Sequence, residues 1–279
     1  MSYFKQFPKT TFDFLKDGKK QAMVDIHKSV RPVQHFLDDI TEYSFYQIQD
    51  GERPDIVSQR LYSTSDYYWS FFVVNDFLAD GYITWPLSIN DLELDIDRTY
   101  SGQTIVTRPA LELDSFGKVT RYIDNINANG PIDPTSFIVG EYVVDDVTTP
   151  TTVGQITQIN VDLNQIIIAP VGDSGGFSDN SQLTGRSSGK TIRAEKVYKT
   201  REAPFYYYAT NDGTKRPAGC PAFFTNDTSV IGSDDILTMP FVSNQAFAIS
   251  RNDDRSRIRV ISPKYIEQFA IEYFKLINQ

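Results

Sequence analysis

The sequence is poor in the residues that covalent and metal chemistry use most. Cys220 is the only cysteine, and His27 and His35 are the only histidines. A single thiol excludes an intrachain disulfide and a cysteine-based zinc site, and it fits assembly in a reducing cytoplasm. Two histidines without further ligand candidates beside them read as surface or packing residues rather than metal ligands. No metal or cofactor is expected.

A basic stripe is also missing. Lys and Arg number 27 against 36 Asp and Glu, giving a formal net charge of −9. The one basic cluster, Arg251 to Arg259, is interrupted by Asp253 and Asp254. Such a chain is poorly suited to phosphate backbones, so nucleic acid is not an expected partner. No apolar run approaches the ~20 residues of a membrane helix. The opening Met1-Ser2-Tyr3-Phe4-Lys5-Gln6-Phe7-Pro8 lacks the charged-then-apolar order of a signal peptide. The expectation is a soluble, unexported protein.

What the chain has in quantity is aromatic surface. Sixteen Tyr and nineteen Phe accompany an ordinary 40% hydrophobic and 23% charged composition. That is enough apolar mass for a core, with rings left over for protein–protein contact.

The expected fold class is α+β. Residues 1–42 read as an extended N-terminal arm, with Phe4, Phe7, Phe12 and Phe14 spread without helical or strand periodicity. Such spacing suits either rings placed in separate pockets of a neighbour or an arm folded back on its own domain. Residues 43–49 favour a strand, and Asp50-Gly51 supplies a turn. Pro54 sits where a helix accepts proline, followed by Ile56, Val57, Arg60 and Leu61. Ser65-Asp66 is placed to cap a second helix from Tyr67 to Val74, stopping near Asn75-Asp76. Tyr67, Trp69, Phe71 and Phe72 leave that helix apolar nearly all round, so it must meet another element or another chain.

Asp91 to Asp97 alternates acidic and apolar residues and reads as a half-buried strand with Leu92, Leu94 and Ile96 inward. From 98 to 200, β-branched runs (103–107, 137–144, 154–161, 165–170 and 191–198) separated by turn residues predict an antiparallel, small barrel-like β domain. Residues 201–244 read as loop. Arg257 to Ile261 then reads as a strand. Ser262 and Pro263 are placed to start an amphipathic C-terminal helix, with Ile266, Phe269, Ala270, Tyr273, Phe274 and Ile277 on one stripe.

Three strings suggest chemistry and fail on it. Gly172-Asp173-Ser174-Gly175-Gly176 spells a trypsin-like nucleophile motif. Neither histidine sits in that family's sequence setting, and the paired cysteines are missing. Gly185 to Thr191 is one residue too short for a P-loop, and an alternating strand pattern follows it where a helix is required. The carboxylates of 91–97 place no glycine where a calcium loop needs its turn. No catalytic set emerges.

The segment Tyr46-Gln47-Ile48-Gln49-Asp50-Gly51-Glu52, with Ile56-Val57, Tyr68-Trp69 and Asn75-Asp76, resembles a LysM motif. That motif is a strand, two short helices and a closing strand. Its usual finish is replaced here by Gly81-Tyr82-Ile83-Thr84-Trp85-Pro86 and the acidic segment. With Asp25-Ile26, Arg53-Pro54 and Arg257 to Ile266, the altered version is similar to the baseplate wedge protein fifty-three family of T-even-like contractile-tailed phages. The resemblance covers both ends and about half the chain, leaving 98–200 as an inserted domain.

The resemblance implies a non-enzymatic virion protein, assembled in the host cytoplasm and present in several copies, around a six-fold baseplate. It would join other wedge subunits, adjacent wedges and possible hub or sheath-proximal proteins. Phe4, Phe7, Phe12, Phe14, Tyr67, Trp69, Phe71, Phe72, Ile266, Phe269, Tyr273 and Phe274 are the interaction residues that follow. The expected organisation is an arm over 1–42, a LysM-like βααβ domain over 43–97, the β insert over 98–200, and a segment over 201–279 ending in the docking helix. Two other readings stay open: LysM-type binding of peptidoglycan, and a cell-wall hydrolase whose catalytic spacing is not visible.

Overall fold

The computed structural model of the chain describes residues 6–14, 16, 18–25, 28, 30, 42–107, 110–113, 119–123, 134–145, 150–161, 163–172, 176–208, 215–216 and 241–279. The expectations for Phe4, Ile26, His27, His35, Ser174 and Cys220 lie outside these residues.

In chain order the elements begin with β1 (Lys9–Phe12), β2 (Gln21–Val24), β3 (Tyr43–Gln47), α1 (Pro54–Tyr62), α2 (Trp69–Val74) and α3 (Ile89–Thr99). There follow β4 (Gln103–Val106), β5 (Ala110–Leu113), β6 (Val119–Ile123), β7 (Tyr142–Val144), β8 (Val153–Asn160) and β9 (Gln165–Pro170). Next are β10 (Gln182–Gly185), β11 (Thr191–Arg193), β12 (Lys196–Lys199), β13 (Pro204–Tyr208) and β14 (Lys215–Arg216). Last come β15 (Phe241–Ser243), α4 (Asn244–Ser256), β16 (Arg257–Ile261) and α5 (Ile266–Ile277).

The chain divides into two compact units. Met1–Leu92 and Ser250–Gln279 form a terminal unit, and Glu93–Ile249 forms a central one, with the boundaries inside α3 and α4. This differs from boundaries at 97/98 and 200/201, because β13, β15 and the start of α4 belong with the central unit.

The terminal unit follows from its local signals. Gly51 at φ +69° turns the chain after β3, and Pro54 occupies the first turn of α1. Ser63 ends α1 in the left-handed region. The second helical segment is shorter than Tyr67–Val74. Thr64 receives the Asp66 N–H and starts a 3₁₀ turn over Ser65–Tyr67, so the α-helix begins only at Trp69.

The partner strand of β3 is β16, antiparallel, with Ile258 opposite Tyr46 and Val260 opposite Ser44. The closing strand expected at 91–97 is therefore supplied from the far end of the chain. Residues 91–97 are helical instead, within α3. Ser88 accepts the Asp91 N–H at 3.2 Å and donates to the Asp91 carboxylate at 2.7 Å, a capping pair that starts a helix. Leu92 and Ile96 are one helical turn apart, but only Ile96 is buried and Leu94 is 68% exposed.

Two apolar clusters fill the terminal unit. One gathers Val57, Phe71, Leu78, Trp85, Ile258 and Val260. The other gathers Phe7, Trp69, Ile261, Ile266, Phe269, Tyr273 and Ile277. The all-round apolarity of 67–74 is thus explained within the chain, because α2 contributes Phe71 to one cluster and Trp69 to the other. The predicted stripe of α5 is its buried face. The helix begins at Ile266, after a turn in which the Tyr265 N–H meets the Ser262 carbonyl at 2.8 Å, and not at Pro263.

The central unit is built on a curled antiparallel half-barrel sheet. Its strand order is β11-β10-β7-β8-β9-β4-β12, around a core of Ile105, Ile156, Ile166, Ile168, Phe177 and Leu183. A separate sheet runs β14-β13-β15, where a loop-rich stretch was expected. The α+β class holds for the whole chain.

Candidate interaction surfaces

In the terminal unit several polar side chains join elements. The Asn75 amide donates to the Phe71 carbonyl at 2.8 Å and to the Arg259 carbonyl at 2.9 Å, and its oxygen receives the Arg259 N–H at 2.8 Å. A single side chain thereby ends α2 and pairs one edge of β16, as a neighbouring strand would. The half-buried Tyr62 hydroxyl donates to the Ile261 carbonyl at 2.9 Å, and desolvation pushes its pKa well above the ordinary tyrosine range. Glu52 accepts from the Tyr46 hydroxyl and the Gln49 N–H, both at 2.9 Å, and forms an ion pair with Arg60. Its backbone carbonyl receives the Trp85 indole N–H at 2.7 Å. Burial followed by the Glu52 hydrogen bond raises the Tyr46 pKa.

The predicted interaction residues separate into two groups. Trp69, Phe71, Ile266, Phe269 and Tyr273 are buried within this chain. Trp69 packs on Tyr273 and Phe274 at ring separations of 4.9 and 5.1 Å, pairs worth about 0.5–1.5 kcal/mol each beyond their burial. These rings hold the unit together and leave little face for a partner. Phe7 is buried beside them, so the root of the arm folds onto its own unit.

The other group faces outward. The β1–β2 hairpin is exposed along nearly its whole length. Phe12 and Phe14, 56% and 57% exposed, meet edge-on at 5.1 Å on it and just beyond. Tyr67, Phe72 and Phe274 are half-buried. Tyr67, Trp69, Ile271 and Phe274, with the carboxylates of Asp66 and Glu267, line a cavity of about 650 Å³. Burial, then the Glu267 and Asp66 charges, raises the Tyr67 pKa. An apolar hollow with two carboxylates suits an apolar side chain flanked by Lys or Arg.

Two outward features were not anticipated from the sequence. Ile271 is 70% exposed, one position off the buried stripe of α5. On β3 and β16, the Arg257 guanidinium lies 4.8 Å from the Phe45 ring centre and that of Arg259 5.2 Å from Tyr43. The alternation in Tyr43–Gln47 and Arg257–Ile261 carries that signal once the two segments are paired.

The P-loop-like string is a hairpin turn between β10 and β11. Its N–H groups do gather an anion, and the anion is a side chain of the same unit. Glu141 accepts from the Ser187 and Ser188 N–H groups at 3.1 and 2.9 Å and from Ile138 N–H at 2.7 Å. A Cβ on Gly185 would stand 2.3 Å from Ser188 Oγ and 2.6 Å from Glu141 Oε2, so a side chain there would have to displace the Ser188 hydroxyl or the Glu141 carboxylate. Two carboxylates of α3, Glu93 and Asp97, are engaged by Arg201 at 2.5 and 2.6 Å.

Among the described residues no cluster of three or more His, Cys, Asp or Glu has metal-holding geometry, and no helix is long and apolar enough to cross a membrane. A scan against protein families finds no match, and a search of curated proteins finds none either.

Proposed function

We propose that this chain is a structural subunit of a phage tail baseplate wedge that works through protein–protein contacts, as its resemblance to the wedge protein fifty-three family implies. One observation carries the reading. The segments bearing the resemblance, Tyr43 to Trp85 and Arg257 to Ile266, fall in one compact unit, while the sequence without a counterpart folds as the other. In this reading the LysM-like element is β3, α1 and α2 closed by β16, used as a scaffold. The exposed hairpin with Phe12 and Phe14 and the hollow beside Ile271 face the other wedge subunits and adjacent wedges.

Sugar binding by the LysM-like element is less well supported. Both tryptophans, Trp69 and Trp85, are buried and offer no open face to a sugar ring.

The test is co-expression of the wedge proteins with and without this chain. Wedges are expected to stay separate when it is left out and to join into rings when it is supplied. Rings formed in its absence would refute the proposal.

A further inference from the structure

The central unit holds a cleft of about 840 Å³, within the roughly 300–1,000 Å³ range of small-ligand pockets. None of its lining residues carries a formal charge; they are hydroxyls, side-chain amides, aromatic rings and two aliphatic residues. Two of the amides are fixed in orientation. Gln165 donates its Nε2 to the Pro204 carbonyl at 2.9 Å, and Asn244 donates its Nδ2 to the Thr200 carbonyl at 2.7 Å. A backbone carbonyl only accepts, so each amide's orientation is set: one N–H of its NH2 group is used and its oxygen is left over.

Both side chains are buried, at 2% and 8% exposure, and both line the cleft. Neither amide oxygen has a hydrogen-bond partner among the described residues, and neither is sealed away from the cleft. Two rigid acceptors therefore await donors from a ligand, and a ligand that leaves them unmet loses affinity. Above them the rings are also held in place. Phe205 stacks on Phe247 at 3.7 Å and 15°, and Tyr206 stands edge-on to Phe247 at 6.4 Å and 87°.

We propose that this cleft binds a neutral saccharide, through a site separate from the LysM-like element and independent of the wedge reading. The absence of formal charge in the lining disfavours phosphates, carboxylates and amines, whose ionised groups would lose solvation without a counter-charge. Fixed acceptors beside the hydroxyls of Thr99 and Ser101 match ligand groups that donate and accept at once, as sugar hydroxyls do. The flat C–H faces of a pyranose suit the aromatic rings.

The experiment uses the full chain on an array of neutral and acidic bacterial oligosaccharides, followed by calorimetric titration of the best neutral binder. Two variants lie in the cleft: Ser101→Trp, which fills it from an exposed position, and Gln158→Ala, which removes an exposed amide. A third, Tyr82→Ala, removes an exposed ring of the terminal unit. Saturable binding of a neutral oligosaccharide is expected. It should weaken at least about tenfold in Ser101→Trp and severalfold in Gln158→Ala, with unchanged circular dichroism, and be unaffected by Tyr82→Ala. Absence of any neutral binder would overturn the proposal. So would preference for acidic members, unaltered affinity in both folded cleft variants, loss through Tyr82→Ala alone, or equal binding of tetra-alanine.

Discussion

Glu141 is the residue whose surroundings are furthest from what its neighbours in sequence suggest. Burial alone pushes its carboxyl up, but the Ile138 N–H, the Ser188 N–H and hydroxyl, and the Ser187 N–H outweigh that and lower it below the ordinary 4.5. The folded state thus resists protonation more than the unfolded chain does. The stabilisation is complete above pH 4.5 and is lost as pH falls through the lowered folded value. Glu141→Gln keeps the shape but loses the charge-assisted bonds, each worth about 1.5–3 kcal/mol. The variant should exchange the amide protons of β7 and β10 faster at pH 7, and the difference from wild type should shrink as pH falls below 4.5. Hydrogen exchange followed by mass spectrometry checks it. Equal protection at pH 7 would remove Glu141 from this role. The string 185–191 shows what was legible here: the short spacing and following alternation ruled out a phosphate loop. The occupant of the turn was not legible, because Glu141 reaches it from 47 residues away.

Among the elements, three local signals acted where the sequence placed them. Pro54 opens α1, the aromatic stripe makes the buried face of α5, and Asp50-Gly51 turns the chain. The failure at α3 has a specific cause. Asp-Leu-Glu-Leu-Asp-Ile-Asp has period two, but Leu92 and Ile96 alone also satisfy a helix, and the Ser88–Asp91 cap decides between them. The β1–β2 hairpin is a different case, since it buries no apolar face of its own and a lone two-stranded hairpin is marginal in water. Its phenylalanines therefore matter to a partner more than to the fold. Phe12→Ser with Phe14→Ser should leave the urea midpoint of tryptophan fluorescence unchanged. That signal belongs to the terminal unit, where both Trp69 and Trp85 lie. The same variant should lose incorporation into wedge rings when these are assembled from purified subunits. A shifted midpoint, or normal incorporation, would show that the exposed pair serves the fold or nothing measurable.

Over the whole chain, the terminal unit depends on residues that follow the central unit in sequence. Asn75 and Arg259 are 184 positions apart, yet their two hydrogen bonds, together with the β3–β16 ladder, close the strand–helix–helix element. Closure over so long a separation explains why 91–97 was expected to supply the strand: sequence periodicity carries no information about which of two strands pairs with β3. Folding this unit must await synthesis of β16, and contacts between distant segments form slowly for the loop entropy they close. A chain ending at Ser256 lacks β16 and α5, and with them Ile258, Val260 and Ile261 from both clusters. Its tryptophans should be exposed, with red-shifted emission and no cooperative urea transition. Asn75→Leu in the full chain is the milder form of the same lesion. It leaves the Arg259 N–H and carbonyl without their partner and should cost about 2–4 kcal/mol, read as an earlier midpoint at unchanged slope. The two variants must agree in order. If the truncated chain keeps buried tryptophans, the element closes without β16, and the pairing that joins the two ends of the sequence is not what holds the unit together.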